Sequence, residues 1–465
     1  MTTVMGTGTI GEALQTDPRI IEAKKLLLAA VKDHQQQIRG VKPPVEERRV
    51  NYQSMLDTFG KARGGKLWYP FLGSGIGNGA LVELMDGSVK YDMITGIGVH
   101  YFGHSHPEMI SAAIDGAISD TVMQGHLMQN KESYDLCTLL CELSGLEHAF
   151  LTTSGVMACE NGLKIAFQNR SPACRVLAFE HCFMGRTLYV SQVTDKPGYR
   201  KGLPLNALVD YVPFYDDKDP KGSTKRAMDR LKDHIARYPG QHAVMSMELV
   251  QGEGGFYPGE REFFVEIMRF LKEHGILVLI DEVQSFGRTS RLFAFQHFGL
   301  EEFVDIVTIG KLSQTCATLF RKNLTPQAGL LSQTFTGSSQ MIHAAKAVLK
   351  QLVNGDYYGP NGRLMKIHEQ FESGLEKIGR KHPGMLSGPY GIGAMIAFTP
   401  WDGDSKIVMD LSHKLFENGV ICFVCGSNPM RIRFLVPAMV ITPIDIEHVL
   451  AIVEKTMVEM GRDPV

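Results

Sequence analysis

LVLIDEVQSFGRTSRLFAFQHFGLEEFVDIVTIGK, residues 277–311, carries the two features on which the reading of this chain turns. Its beginning belongs to an apolar run, ILVLI (276–280), that stops at two carboxylates, Asp281 and Glu282. Its end holds a second run, DIVTI (305–309), that stops at Gly310 and Lys311. Apolar runs this short, bounded by polar residues and glycine, have the length of buried strands. Three others follow the same pattern: AFLTT (149–153) runs into Ser154-Gly155, RVLAF (175–179) into Glu180-His181-Cys182-Phe183, and AVMSM (243–247) into Glu248. Between them, REFFVEIMRFLKEHG (261–275) places Phe264, Ile267, Phe270 and Leu271 on one helical face and stops at Gly275. The alternation predicts an α/β fold with a mostly parallel sheet. In such open sheets ligands bind beyond the carboxyl ends of the strands, so all five strand ends are expected to line one crevice.

Composition narrows the partners. The chain has 465 residues, 44% hydrophobic and 21% charged, with room for a large core and two domains. Its 48 Lys+Arg against 50 Asp+Glu give a formal net charge of −2, which offers no basic field for nucleic acid or an anionic membrane. Small molecules are the expected partners. The N-terminus has no basic segment followed by an apolar stretch, and no apolar run approaches the roughly 20 residues that span a bilayer, so a soluble cytoplasmic protein is expected. The eight cysteines are then thiols, and Cys422-Phe-Val-Cys425, lacking a second pair of ligands, reads as structural. Beyond about residue 340 longer helices are expected, one of them capped by Thr442 with Pro443 in its first turn.

An acid at one strand end and a lysine at another would form a buried ion pair or hold pyridoxal phosphate between them. That cofactor needs a lysine for its Schiff base, a carboxylate to keep its pyridine nitrogen protonated, and a cradle for its phosphate. Thr153-Ser154-Gly155-Val156, at a strand-to-helix turn, offers backbone N–H groups and a helix dipole for the phosphate.

The 277–311 stretch resembles the signature of the class III aminotransferases, the fold type I pyridoxal phosphate enzymes that act on acetylornithine, ornithine, 4-aminobutyrate and lysine. Further segments extend the resemblance: GIGVHYFGHSHPE (96–108), TTSGVMACENGLKIAF (152–167), FMGRTLYVSQVTDKPGYRKG (183–202), ELVQGEGGFYP (248–258) and RIRFLVPAMVIT (431–442). The resemblance implies a large cofactor domain over residues 91–345, with a seven-stranded-type sheet sandwiched by helices. A smaller α+β domain would come from residues 1–90 and 346–465. It also implies roles. Lys311 would bind the cofactor and shuttle the proton, Asp281 would pair with the pyridinium nitrogen, and Gln284 would reach its phenolic oxygen. Phe183 would lie on the ring, and Ser154, Gly155 and Val156 would hold the phosphate. Thr334, in TFTGSSQ (334–340), would reach the phosphate of the neighbouring subunit, which implies a homodimer with shared active sites. Arg433 would grip the α-carboxylate of 2-oxoglutarate, in preference to Arg431 two residues away. Glu253 would neutralise it for donors without such a carboxylate, and Glu248 would lie nearer the cofactor. His104 and His106 belong to a loop and a helix start, with Pro107 at the first helical position.

The expected activity is transfer of an amino group from an ω-amino acid to 2-oxoglutarate by a ping-pong cycle. Aminomutases and racemases share the scaffold, but they have no use for Arg433 as an acceptor site. A silent cofactor-binding protein has no use for Lys311 beside Asp281. This chain departs from the family at several positions. SFGRTS follows Gln284 with one glycine fewer, Met184 replaces a histidine, Met157 replaces an acid, and LSQTCATLF follows Lys311. These bear on the donor, since they leave the lysine, the aspartate and the phosphate turn intact.

Overall fold

The computed structural model describes residues 8–120 and 125–461. Its centre is a seven-stranded sheet in the spatial order 148–152, 316–320, 306–309, 277–281, 242–247, 175–179, 208–212. The strand Leu277–Asp281 lies in the middle, parallel to both Ile306–Ile309 and His242–Met247. Arg175–Phe179 runs parallel to its two neighbours. Cys316–Phe320 alone is antiparallel to the strands on either side. Central parallel strands are covered on both faces, which is why their sequences are apolar without alternation. All five residues of Leu277–Asp281 are buried, as are all six of His242–Met247.

The five predicted strands form within a residue of their expected bounds, and two more join them. Leu208–Val212 edges the sheet. Its polar Asp210 is paid for locally by Arg175, which donates to both carboxylate oxygens at 2.6 and 2.9 Å. Cys316–Phe320 follows so closely on Lys311 that the sequence reads as one continuous loop; the tight turn of 311–315 reverses the chain between two strands. The helix Arg261–Glu273 buries Phe263, Phe264, Val265, Ile267, Met268 and Leu271, while Phe270 stays partly exposed, so the apolar face is centred one position earlier than expected. Thr442 caps the helix Pro443–Glu459, accepting the Asp445 N–H at 3.2 Å. His106 likewise caps Pro107–Ala117. His104 bonds the buried Asp92 at 2.9 Å, a tie inside the fold.

Among the described residues two four-stranded sheets and a two-stranded one, Val250–Gln251 with Tyr257–Pro258, accompany the large one. Gly73–Asn78, Leu81–Leu84 and Val89–Asp92 continue into Val420–Ile421, so a chain segment near the start and one near the end share a sheet. The other four-stranded sheet comprises Leu386–Ile392, Met395–Pro400, Arg431–Leu435 and Phe423–Cys425. Cys422 and Cys425 are buried thiols, both pushed up to about 12 by burial. No helix among the described residues is long and apolar enough to cross a membrane.

Candidate active site

The two adjacent acids at the end of the central strand have separate jobs. Glu282 is fully buried and its carboxylate accepts the N–H groups of Ala294 and Phe295 at 2.8 and 2.9 Å. It thereby satisfies the first donors of the single turn Ala294–His297, which no helical carbonyl reaches. Burial pushes its carboxyl up to about 8. Glu282→Ala would strand two buried donors, at about 1–3 kcal/mol each. Chemical denaturation is therefore expected to show a loss of about 2–6 kcal/mol. A loss under about 0.5 kcal/mol would refute this capping role.

Asp281 stays free for other work. Its Oδ1 accepts the Val283 N–H at 2.9 Å and the Thr308 hydroxyl at 3.4 Å, and its Oδ2 takes the Cys159 thiol at 3.3 Å. Burial raises its pKa, against those bonds and the charge of Lys311. A carboxylate this enclosed, its pKa raised in spite of these bonds, needs a cationic partner to remain charged.

Lys311 stands at the end of the neighbouring strand. It holds φ at +56°, in the left-handed region that side chains other than glycine seldom occupy, at a cost on the order of 1–3 kcal/mol. Gln314, also at positive φ, braces the turn by donating to the carbonyls of Val99 and Leu312 at 3.0 and 3.2 Å. Burial lowers the pKa of Lys311, and Asp281 pulls it back up.

One side chain brings the phosphate turn, the lysine turn and the aspartate together. Ser154 caps the helix Gly155–Arg170, accepting the Met157 N–H at 3.4 Å. A Cβ at Gly155 would lie 2.6 Å from Val283 Cγ1, and one at Gly310 would lie 3.1 Å from the same atom. Glycine at both positions therefore lets the two turns close over Val283, two residues from Asp281. The first-turn N–H groups of Gly155 and Val156 are ones that a helix leaves unsatisfied, an arrangement that favours an anion. Thr334 lies exposed in the loop before the helix Ser339–Asn354. Its neighbour Gln333 accepts from Thr152 at 2.6 Å, tying that loop to the strand that feeds Ser154.

The other wall is built around Arg433, which is wholly buried in the strand Arg431–Leu435. Its guanidinium is ion-paired with Glu253 and lies 3.4 Å from Gln284 Oε1. The rings of Phe423 and Phe256 sit 5.3 and 5.7 Å away. Burial pushes the Glu253 carboxyl up, but Arg433 more than reverses this and holds it below the usual range. Arg431, the sequence rival, is committed elsewhere: it donates to the Gly255 carbonyl at 2.5 Å and packs against Tyr390 and Tyr257. Glu248 accepts the N–H groups of Phe183 and Gly252 at 2.9 and 3.0 Å, so it ties together the segments that carry Phe183 and Glu253. Burial and the nearby Asp281 push its carboxyl up to about 8. The Phe183 ring meets Tyr199 edge-on at 6.2 Å, and Arg186 stacks on that same tyrosine at 3.9 Å. Met184 packs in the core, its sulfur 3.5 Å from the Ser246 hydroxyl.

Sequence reasoning missed Cys159 and Thr308, the donors to Asp281, and Lys196, whose ammonium reaches the Glu253 carbonyl at 3.1 Å. The segment 183–202 contains four cations, Arg186, Lys196, Arg200 and Lys201. Nothing in their spacing tells which one turns toward Glu253.

This donor set fits pyridoxal phosphate. An enclosed carboxylate, a buried lysine on the adjacent strand and a glycine-opened helix N-terminus meet around Val283, matching the three demands of that cofactor. The fold is that of the fold type I pyridoxal phosphate enzymes. The chain belongs to the class-III aminotransferase family, whose pattern it matches over residues 74–457. It is a pyridoxal-phosphate-dependent transaminase. It is 29% identical over 394 residues to an acetylornithine aminotransferase of Methanocaldococcus jannaschii, covering 81% of this chain and 90% of that protein. It is also 29% identical over 389 residues to a [LysW]-aminoadipate semialdehyde transaminase of Deinococcus radiodurans, covering 82% and 85%. A lysine aminotransferase from M. tuberculosis shares the fold with a TM-score of 0.76 at 20% identity, over 86% of this chain and 98% of that one.

Proposed function

We propose that this transaminase takes the amino group of an ω-amino acid, of the 4-aminobutyrate, lysine or ornithine type, and passes it to 2-oxoglutarate at the same site. The observation that carries the reading is the wholly buried Arg433 paired with Glu253. A guanidinium fork suits a carboxylate through two parallel charge-assisted hydrogen bonds. A donor with no carboxylate there leaves Glu253 in place to neutralise it; an α-keto acid displaces Glu253. Curated relatives that act on acetylornithine and on aminoadipate semialdehyde support an ω-amine donor.

When bound, the cofactor supplies the electron sink that makes the hydrogen next to the substrate nitrogen acidic. Ser154, Gly155 and Val156 would hold its phosphate, with Thr334 of a second subunit completing the cradle in a homodimer. Phe183 would cover one ring face, and Gln284 would reach the phenolic oxygen. Asp281 would place its negative charge at the ring nitrogen. Lys311 Nζ, lowered in basicity by burial, would accept the substrate proton and return it to the carbon on the far side of the nitrogen. The same reading divides the chain into a cofactor domain, 91–345, and a smaller one from 1–90 and 346–465. The sheet that runs Gly73–Asn78, Leu81–Leu84, Val89–Asp92, Val420–Ile421 supports pairing the two ends, its third strand crossing the boundary at residue 90.

The test is an absorbance titration of the cofactor-loaded protein with a panel of ω-amines and α-amino acids, without keto acid. An ω-amine is expected to convert the visible band, and 2-oxoglutarate to restore it. A band that no amine converts would sink the reading. Arg433→Lys is expected to raise the KM for 2-oxoglutarate about 10–100-fold, the loss of one charge-assisted fork. The donor half-reaction should move far less, and equal changes in both would refute the role of Arg433.

A further inference from the structure

Glu253 sits in a turn whose backbone is fixed on every side. Its carbonyl accepts the Gly426 N–H at 3.0 Å and the Lys196 ammonium at 3.1 Å. Two residues on, the Gly255 carbonyl is held by Arg431, whose guanidinium lies 4.1 Å from the Tyr257 ring and 3.3 Å from the Tyr390 ring. A Cβ at Gly252 would meet Gln284 Oε1 at 2.3 Å, and one at Gly254 would meet Gln251 Oε1 at 2.8 Å. Phe256, fully buried, closes the turn at φ +57°. The turn has no room to slide, so exchange at Arg433 falls to rotation of the Glu253 side chain.

A carboxylate that takes Arg433 evicts Glu253, and a buried carboxylate without a partner is strongly disfavoured. Among the described residues, three cations lie near enough to act on Glu253: Arg433, Lys196 and Lys311. Arg433 is by then occupied, and Lys311 is the amine assigned to the cofactor. Lys196, partly buried, already touches the carbonyl of Glu253 itself. A carboxylate two methylenes along the same residue reaches that ammonium by turning about its side-chain bonds. We propose that Lys196 is the second station of Glu253, receiving its carboxylate whenever an acceptor carboxylate occupies Arg433. The incoming anion then leaves two complete ion pairs, Arg433 with substrate and Lys196 with Glu253. Lys196 is thus a positioning residue that sets affinity for a carboxylate at Arg433, and this rests on the reading of Arg433 given above.

The experiment measures binding of glutarate, an unreactive dicarboxylate, to the cofactor-loaded enzyme by calorimetry, alongside both half-reactions by rapid-mixing absorbance. Lys196→Met keeps length and removes charge. It is expected to weaken glutarate and raise the acceptor-side KM about 10-fold, the worth of one charge-assisted contact. The rate with an ω-amine should stay within about twofold. In a Glu253→Gln background no anion needs rehousing, so Lys196→Met should change glutarate binding less than about twofold. Lys196→Arg should restore most of the affinity, and Lys196→Gln replaces Lys196→Met as the charge-removing probe if the methionine variant has a lowered thermal midpoint. Unchanged glutarate binding in the charge-removing variants overturns the proposal. So does an equal loss in the Glu253→Gln background, which would mean that Lys196 contacts the ligand itself or only supports the loop. Arg433→Lys, read in parallel, separates the two ideas. If it weakens glutarate and Lys196→Met does not, only the role of Lys196 fails; if it leaves glutarate unchanged, the assignment of Arg433 fails and this proposal with it.

Discussion

Lys311→Ala is expected to lower turnover by at least about 10⁴-fold, the upper range for a single proton-transfer group. The expectation follows from where the chain puts this amine. It closes one strand of the central sheet beside Asp281, which closes the next, and it holds a left-handed backbone that alanine would occupy at similar cost. Burial favours its neutral form, the form able to take a proton, and Asp281 restrains that shift. Alanine removes, among the described residues, the amine that stands beside Asp281 and leaves Ser154, Gly155 and Asp281 in position. Cofactor should still bind, with a visible spectrum different from wild type. An added small primary amine should restore part of the half-reaction, since it supplies the proton acceptor that alanine lacks. Turnover within about 100-fold of wild type, with an unaltered spectrum, would refute the assignment of Lys311.

How far the sequence alone reaches is seen by following particular residues. The central strands were legible because a strand covered on both faces must be apolar throughout. Leu277–Asp281 and Arg175–Phe179 accordingly stand out as uninterrupted runs. Leu208–Val212 did not, because an edge strand tolerates Asp210 once Arg175 pairs with it. Cys316–Phe320 was hidden by the tightness of the turn before it, which depends on positive φ at Lys311 and Gln314, residues that carry no turn signature. Within the site, groups fixed by backbone position were foreseeable. Lys311, Asp281 and Ser154 each end a strand or begin a helix, and motif order preserves that. Groups that arrive across the fold were not. Cys159 approaches Asp281 from a helix 122 residues earlier, and Lys196 approaches Glu253 from 57 residues away. Arg431 and Arg433 show the remaining gap most clearly. Two residues apart on one strand, they differ only in what faces them: two tyrosine rings for the first, Glu253 for the second.

Asp281→Asn should cost about 10³-fold in turnover, the upper range for removing one preorganised electrostatic group. Asparagine fills the same volume and still accepts the Val283 N–H, so the strand end should keep its shape. What disappears is the negative charge, and with it the reason for a ring nitrogen opposite to stay protonated. The surrounding donors make the loss specific. Cys159 and Thr308 both donate toward the carboxylate, and an amide presents its own hydrogens to one of them. Stability should change by less than about 1 kcal/mol, because burial already penalises the charged form that the substitution removes. This is the opposite pattern to Glu282→Ala, one residue along, where the loss should fall on stability because Glu282 serves two backbone donors. Measuring turnover and the denaturation midpoint on both variants therefore tests the division of labour directly. An Asp281→Asn enzyme within about tenfold of wild-type turnover would show that Asp281 serves the fold, as Glu282 does. A variant that loses turnover and keeps its midpoint would place its charge in the chemistry.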